Sequence, residues 1–216
     1  MIISETKTNA MVINFTENFQ FHTRLQLKER NVEIVEKIKI LGTIFTNKLN
    51  WDESCKNLIK KVNSRMQLLR KVWSFRSNTE EMVHLWKVFC RSVLDQTCLV
   101  WDSGLSCENR EDVEKTQKSF AKLVLEEDYQ NYQNSLEKVN LETRDTRRKQ
   151  LTLKFAKNSI EDGILNYLFP KKVKPHTMKT RKTVFFKANH ANTKMYKNSP
   201  IVTMQQMLNQ ETEEIP

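Results

Sequence analysis

The chain has 216 residues, with 36 Lys and Arg against 26 Asp and Glu, a net charge of +10. Only three glycines (Gly42, Gly104, Gly163) and four prolines punctuate it. That excludes a phosphate-cradling glycine-rich loop, which needs several glycines close together, and opposes a large sandwich or barrel built on glycine turns.

Few breakers and 29% charged residues predict a helix-rich chain. The excess positive charge points to an anionic partner, a statement about association and not about fold. No run approaches the ~20 apolar residues of a membrane-spanning helix. The N-terminus lacks the basic start and apolar run of a secretory signal. An intracellular protein, nuclear or cytoplasmic and not secreted, is therefore expected, with reduced thiols and no membrane partner.

Residues 9–45 read as strands. Ala10-Met11-Val12-Ile13-Asn14-Phe15 is a short apolar run, Leu25-Gln26-Leu27 alternates, and Lys28-Glu29-Arg30-Asn31 reads as a turn. Val32-Glu33-Ile34-Val35 alternates again, followed by Ile38–Phe45, rich in β-branched residues around Gly42. Period two with short connections predicts an antiparallel hairpin and a neighbouring strand. Three or four strands cannot close a core alone.

The period then changes. Trp51, Cys55, Leu58, Ile59, Val62, Met66, Leu69 and Trp73 recur at spacings of three and four, one face of a helix over about 51–75, with Lys56, Lys60 and Lys71 opposite. Ser77-Asn78-Thr79-Glu80 spells a capping box. It opens a helix with Met82, Leu85, Trp86, Phe89 and Val93 inward, continuing toward Trp101 and ended by the loop around Gly104. Asn109 is the expected cap of a third helix, with Val113, Phe120 and Val124 inward and Lys115, Lys118 and Lys122 outward. Short helices near 130–139 and 143–158 follow, the latter opening on the basic cluster Arg144, Arg147, Arg148, Lys149.

After Pro170 the composition shifts: residues 171–199 hold nine Lys or Arg and no acid. This stretch reads as a basic, largely disordered tail, with a short apolar helix possible over Ile201 to Leu208. Residues 1–170 carry 27 basic and 23 acidic residues, and 171–216 carry 9 and 3, so more than half the net charge lies in the last fifth of the chain. The fold class is α+β. It comprises a short N-terminal antiparallel hairpin or sheet edge (1–48), an all-α helical bundle (49–168) and a basic tail (169–216).

Catalytic constellations are hard to assemble. Two-metal phosphoryl or nucleotidyl transfer needs close carboxylates, and the chain has no Asp-Asp pair. The residues two beyond the histidines are Arg24, Trp86, Met178 and Asn192, so the His-x-carboxylate pair of a non-haem iron site is missing. Cys55, Cys90, Cys98 and Cys107 are 35, 8 and 9 residues apart, unlike the two-to-four-residue spacing of zinc ligands. Inert, buried thiols are expected, above all Cys90 and Cys98 in their apolar helical pattern. The lysine rows opposite apolar rows, by contrast, are what a phosphate backbone attracts.

The order of these pieces resembles a known family. Lys7-Thr8-Asn9-Ala10-Met11 through Phe15, then Ile38 to Trp51 around Leu41-Gly42, then a helix with Lys60-Lys61-Val62-Asn63-Ser64-Arg65, are similar to the non-LTR (LINE-type, jockey-like) retrotransposon reverse transcriptases. The likeness continues through Arg91-Ser92-Val93-Leu94, Val100-Trp101, Thr116-Gln117-Lys118 and Arg147-Arg148-Lys149-Gln150-Leu151, over roughly residues 4–160. The resemblance implies that Lys7 matches the lysine of the motif following the catalytic aspartate hairpin, that Leu41 and Gly42 match the primer grip, and that the helices after Trp51 are a thumb. The family's asparagine three before that lysine is Ser4 here.

The resemblance further implies a C-terminal remnant of an RNA-directed DNA polymerase, with the fingers, the palm and the metal site upstream of Met1. Mg2+ would serve the whole family enzyme. Its ligands are absent from this sequence, so no cofactor, no small-molecule substrate and no enzymatic activity are expected of the chain alone. The expected partner is a primer–template-like RNA/DNA duplex, met by Lys60, Lys61, Arg65, Arg91, Arg147, Arg148 and Lys149. By helical angle Lys60 and Arg91 face outward and Arg65 lies at the edge of the apolar stripe. Part of the same region also resembles a segment named after the N-terminus of an AlkB-type alkylation-repair protein, but the missing His-x-carboxylate pair and missing glycines oppose the oxygenase or methyltransferase this would imply. The alternatives are a non-enzymatic helical protein-interaction module and a non-functional transposon-derived fragment.

Overall fold

The structure, a computed structural model, describes residues 4, 8–15, 21–28, 30–75, 77–161, 163–170, 186 and 192–213. The protein is α+β; among the described residues the short strands lie in its N-terminal part and the helices from Asp52 onward. It divides into two compact units, Met1–Asn57 and Leu58–Pro216.

The described residues of the first unit form three strand pairs. β1 (Asn9–Ala10) pairs with β4 (Glu33–Ile34), β2 (Gln26–Leu27) with β3 (Arg30–Asn31), and β5 (Lys37–Ile40) with β6 (Thr43–Thr46). The expected turn at 28–31 is tighter than the sequence suggests, because Arg30 and Asn31 already pair with Leu27 and Gln26. β1 and β4 are parallel, with Asn9 opposite Glu33 and Ala10 opposite Ile34. An antiparallel edge was expected; the long excursion between the two strands lets the chain return in the same direction.

The β5–β6 hairpin is the best-formed piece of this unit. Ile40 pairs with Thr43 across a two-residue turn, and both turn residues, Leu41 (φ 48°) and Gly42 (φ 89°), have positive φ. That is the condition for a type I′ turn, whose twist matches that of the flanking strands. Glycine meets it freely, while leucine at this φ is strained. Phe45 meets Trp51 edge to face at 5.3 Å, and Thr43 is buried. The Ile44 N–H donates to Ser54 Oγ at 3.4 Å, and Asn50 Oδ1 accepts from the Asp52 N–H at 2.8 Å, starting the next helix.

That helix, α1 (Asp52–Trp73), carries Asp52 and Glu53 in its first turn and Arg70 and Lys71 in its last, in keeping with the helix dipole. Cys55, Leu58, Val62, Met66 and Leu69 form its buried stripe, as the periodicity requires. In the second unit, α2 (Thr79–Leu85) is capped by Asn78, whose Oδ1 accepts from the Glu81 N–H at 2.8 Å. The adjacent Ser77 of the expected capping box instead donates to the Val72 carbonyl. The helix widens into a π-type turn over Trp86–Arg91 and regains α-winding in α3 (Ser92–Asp95). The wider winding turns Cys90 inward and leaves Phe89, expected in the core, half exposed.

The helix does not run on to Trp101. Thr97 takes a left-handed φ of 54°, and a separate short α4 (Cys98–Trp101) follows. α5 (Cys107–Leu125) is capped by Ser106, not by Asn109, which lies buried in its first turn. α6 (Tyr132–Lys138) and α7 (Arg144–Glu161) complete the bundle. Trp86 stacks on Phe120 at 4.8 Å, and Val113 and Val124 face inward as read from the sequence.

The last stretch contains the apolar helix expected over Ile201 to Leu208, and it runs longer than the sequence suggests. α8 (Lys194–Lys197) and α9 (Pro200–Glu213) are helical. Val202, Met204, Gln205 and Leu208 of α9 are buried, and Met204 and Leu208 share a cluster with Ala156 of α7, Phe169 and Phe186. The Phe186 N–H donates to Asn209 Oδ1 at 3.0 Å, and Asn209 Nδ2 donates back to the Phe186 carbonyl at 3.2 Å. Apolar spacing in α9 outweighs the basic composition around it. The rest of the predicted basic tail, 171–185 and 187–191, lies outside the described residues.

Candidate nucleic-acid interface

The basic cluster opening α7 was expected at the surface. Helical spacing puts Arg144, Arg147 and Arg148 on one side of α7, and the fold turns that side inward. Arg144 and Arg148 are 1% and 0% exposed. Arg148 Nε donates to Asp102 at 2.5 Å, and its guanidinium lies 3.7 Å from Asp145. Arg144 is bound by Asp95, while its backbone N–H donates to both Glu114 carboxylate oxygens at 3.1 Å. Arg147 reaches Asp95 at 3.4 Å and Glu142 at 3.6 Å.

Arg110 completes the network. It contacts Asp102 at 3.3 Å and Asp145 at 3.4 Å and donates to the Asp102 carbonyl at 2.5 Å. Buried charges persist only when paired in this way. Burial pushes the Asp145 carboxyl up, but the hydrogen bond and charge of Lys149, with Arg148 and Arg110 beside it, outweigh this and hold it below its usual value.

This network removes part of the predicted contact set. Arg148 is a core ion-pair residue and unavailable to a backbone phosphate. Arg91, expected outward, lies partly buried 4.0 Å from Asp95, and burial with the charge of Arg147 lowers its affinity for its proton. Lys149 is exposed but held by Asp145 at 2.7 Å. Arg65 donates to the Phe89 carbonyl on the π-type turn.

The α5 row is occupied as well. Lys115 pairs with Asp112 at 2.7 Å, and Lys118 and Lys122 sit over the rings of Tyr132 and Tyr129 at 5.1 and 5.4 Å. Leu41 stands 81% exposed at the hairpin tip of the first unit beside Gly42. Lys7 lies outside the described residues.

The outer face of α1 is different. From Ser54 to Trp73 the sequence has six cations (Lys56, Lys60, Lys61, Arg65, Arg70, Lys71) and no acid. Lys60, Asn63, Ser64, Gln67 and Lys71 are exposed and Lys61 is half-buried. Lys60, Lys61 and Lys71 form no salt bridge with any described residue. At 1.5 Å per residue, Lys60 and Lys71 are about 16 Å apart along the axis on nearly the same helical angle. The result is a straight polar track with cations at both ends and hydrogen-bonding side chains between.

Among the described residues no three His, Cys, Asp or Glu side chains are grouped so that they could hold a metal ion. Cys55, Cys90 and Cys98 are buried, and Cys107 is exposed. Burial pushes the Cys90 and Cys98 thiols up to about 11, which suits inert core thiols. No described helix is long and apolar enough to cross a membrane.

The sequence reading missed Asp95 and Asp102, the acids that turn the α7 arginines inward. Their signal was faint: between Met82 and Leu105 they are the two acids in a stretch rich in apolar residues. Comparison with family models, with curated proteins and with solved structures gives no match in any of the three.

Proposed function

We propose that the chain binds the sugar–phosphate backbone of nucleic acid through the outer face of α1. We propose further that it is the C-terminal remnant of a non-LTR RNA-directed DNA polymerase, palm edge plus thumb, without polymerase chemistry of its own. The observation that supports the binding reading is the acid-free stretch of α1 from Ser54 to Trp73, whose Lys60, Lys61 and Lys71 are not neutralised by any described residue. Phosphates displace condensed counterions when they meet such a row, and that entropy drives binding.

The test is a salt titration of affinity for an RNA–DNA hybrid. Three lysine–phosphate contacts predict a slope of about −2.7 in log affinity against log salt, roughly a fortyfold loss over a fourfold rise in salt. A slope near zero contradicts the reading. Extension of a primed RNA template by the chain alone contradicts the absence of polymerase chemistry. The second reading, a protein-interaction module, is favoured by the apolar side chains that the first unit exposes, Phe15, Ile40 and Leu41. It predicts little salt-dependent affinity for nucleic acid.

A further inference from the structure

The outer face of α1 is not uniformly polar. Leu68 is 59% exposed, and by helical angle it falls between Ser64 and Lys61, inside the basic track. Phe75, just beyond the last turn of α1, is 83% exposed. Phe89, whose carbonyl receives Arg65 of α1, is half exposed. Two exposed aromatic rings thus belong to segments adjoining the lysine-bearing helix: Phe75 two residues past its last turn, and Phe89 on the turn whose carbonyl receives Arg65.

We propose that this surface takes single-stranded nucleic acid, with Phe75 and Phe89 stacking on unpaired bases and Lys60, Lys61 and Lys71 following the backbone. The inference rests on the backbone-binding reading above and narrows its substrate. A duplex keeps its bases stacked on one another and offers phosphates and groove edges, so an exposed phenyl ring gains little from it. A single strand offers free base faces, and combined cationic and aromatic surfaces bind it with little regard to sequence.

Charge complementarity selects an anionic strand: no acid lies between Ser54 and Trp73. A lipid surface fits less well. Interfacial helices need a wide continuous apolar face, and the apolar stripe of α1 (Cys55, Leu58, Val62, Met66, Leu69) is already buried within the protein.

The experiment is fluorescence anisotropy with the full chain at low salt. The probes are a labelled single-stranded 12-mer, the same sequence as an RNA–DNA hybrid, and phosphatidylserine vesicles. The variants are Phe75→Ala, Phe75→Trp, the double variant Phe75→Ala/Phe89→Ala and Lys60→Glu/Lys71→Glu. Because Phe75 is so exposed, its variants should keep the wild-type melt.

The expected result is tighter binding of the single strand than of the hybrid. Phe75→Ala should weaken single-strand binding on the order of tenfold and leave hybrid binding within twofold. Phe75→Trp should restore it, with quenching of the new indole. Salt-dependent binding that Lys60→Glu/Lys71→Glu abolishes, but that is indifferent to Phe75→Ala or stronger for the hybrid, overturns this inference and leaves the backbone-binding reading standing. Binding to neither nucleic acid, or to vesicles alone, overturns both.

Discussion

Removing the Asp102 carboxylate should expose how much of the second unit depends on its internal ion pairs. Asp102 accepts from Arg148 Nε at 2.5 Å and from Arg110 Nη1 at 3.3 Å, and Arg148 is fully buried. In Asp102→Ala the guanidinium of Arg148 keeps, among the described residues, the ion pair with Asp145 at 3.7 Å. Its two terminal nitrogens already lack a hydrogen-bond partner among the described residues. Leaving a buried charge in that state costs ~3–5 kcal/mol.

Removing both charges should cost much less, because an apolar side chain of similar volume tolerates the site. Asp102→Ala/Arg148→Met should therefore recover about 2 kcal/mol or more of the loss. The assay is urea denaturation followed by circular dichroism at equilibrium, with the four corners of the cycle compared at fixed m-value. A loss below about 1 kcal/mol in Asp102→Ala, or a double variant no more stable than the single, refutes the assignment of Arg148 to a buried ion pair.

Three further outcomes follow from particular residues. Arg148→Met, in variants that keep a cooperative melt, should leave nucleic-acid affinity within twofold of wild type in an anisotropy titration, because that guanidinium never reaches the surface. Asp145 has a carboxyl depressed in the folded state, so its contribution is complete above its unfolded value of about 3.9 and is lost as pH falls through the lower folded value. The stability gap between wild type and Asp145→Asn, measured by urea midpoints, should accordingly be constant above pH 5 and close below pH 4. Leu41→Asn replaces a strained left-handed leucine by a residue that tolerates that φ before Gly42, and should stabilise the β5–β6 hairpin by about 1 kcal/mol, seen as greater protection of the Ile38–Phe45 amides in hydrogen exchange.

Local periodicity made the helices legible. The stripe Cys55, Leu58, Val62, Met66 and Leu69 is buried as its spacing demands, and α5, α6 and α7 begin within a few residues of where the pattern places them. Caps were legible only to the neighbourhood, because Ser77 and Asn78, or Ser106 and Asn109, offer the same chemistry at adjacent turns and backbone geometry chooses between them.

The α7 cluster was misread for a non-local reason. A helix pattern treats arginine as outward-facing, but Arg144 and Arg148 are drawn inward by Asp95 and Asp102, 49 and 46 residues away in sequence. In the C-terminal segment the apolar helix over Ile201 to Leu208 was legible from its spacing, but its packing was not, because the contacts of Met204 and Leu208 with Ala156 of α7, Phe169 and Phe186 are non-local. The parallel pairing of β1 with β4 was illegible because alternation marks a strand without naming its partner or direction. The candidate interface was half legible: Lys60 and Lys71 were read as outward, but their distinction from the other basic rows depends on which lysines have partners, and that is a property of the folded surface.

The binding proposed above places nucleic-acid affinity on the outer face of α1 and not on the α7 cluster. Its most direct test compares the salt dependence of affinity in wild type, Lys60→Glu/Lys71→Glu and Lys149→Glu. The α1 pair variant should lose at least tenfold in affinity and about two units of salt slope, while Lys149→Glu should stay within threefold of wild type. Unchanged affinity and slope in Lys60→Glu/Lys71→Glu, with the loss appearing in Lys149→Glu instead, would contradict it.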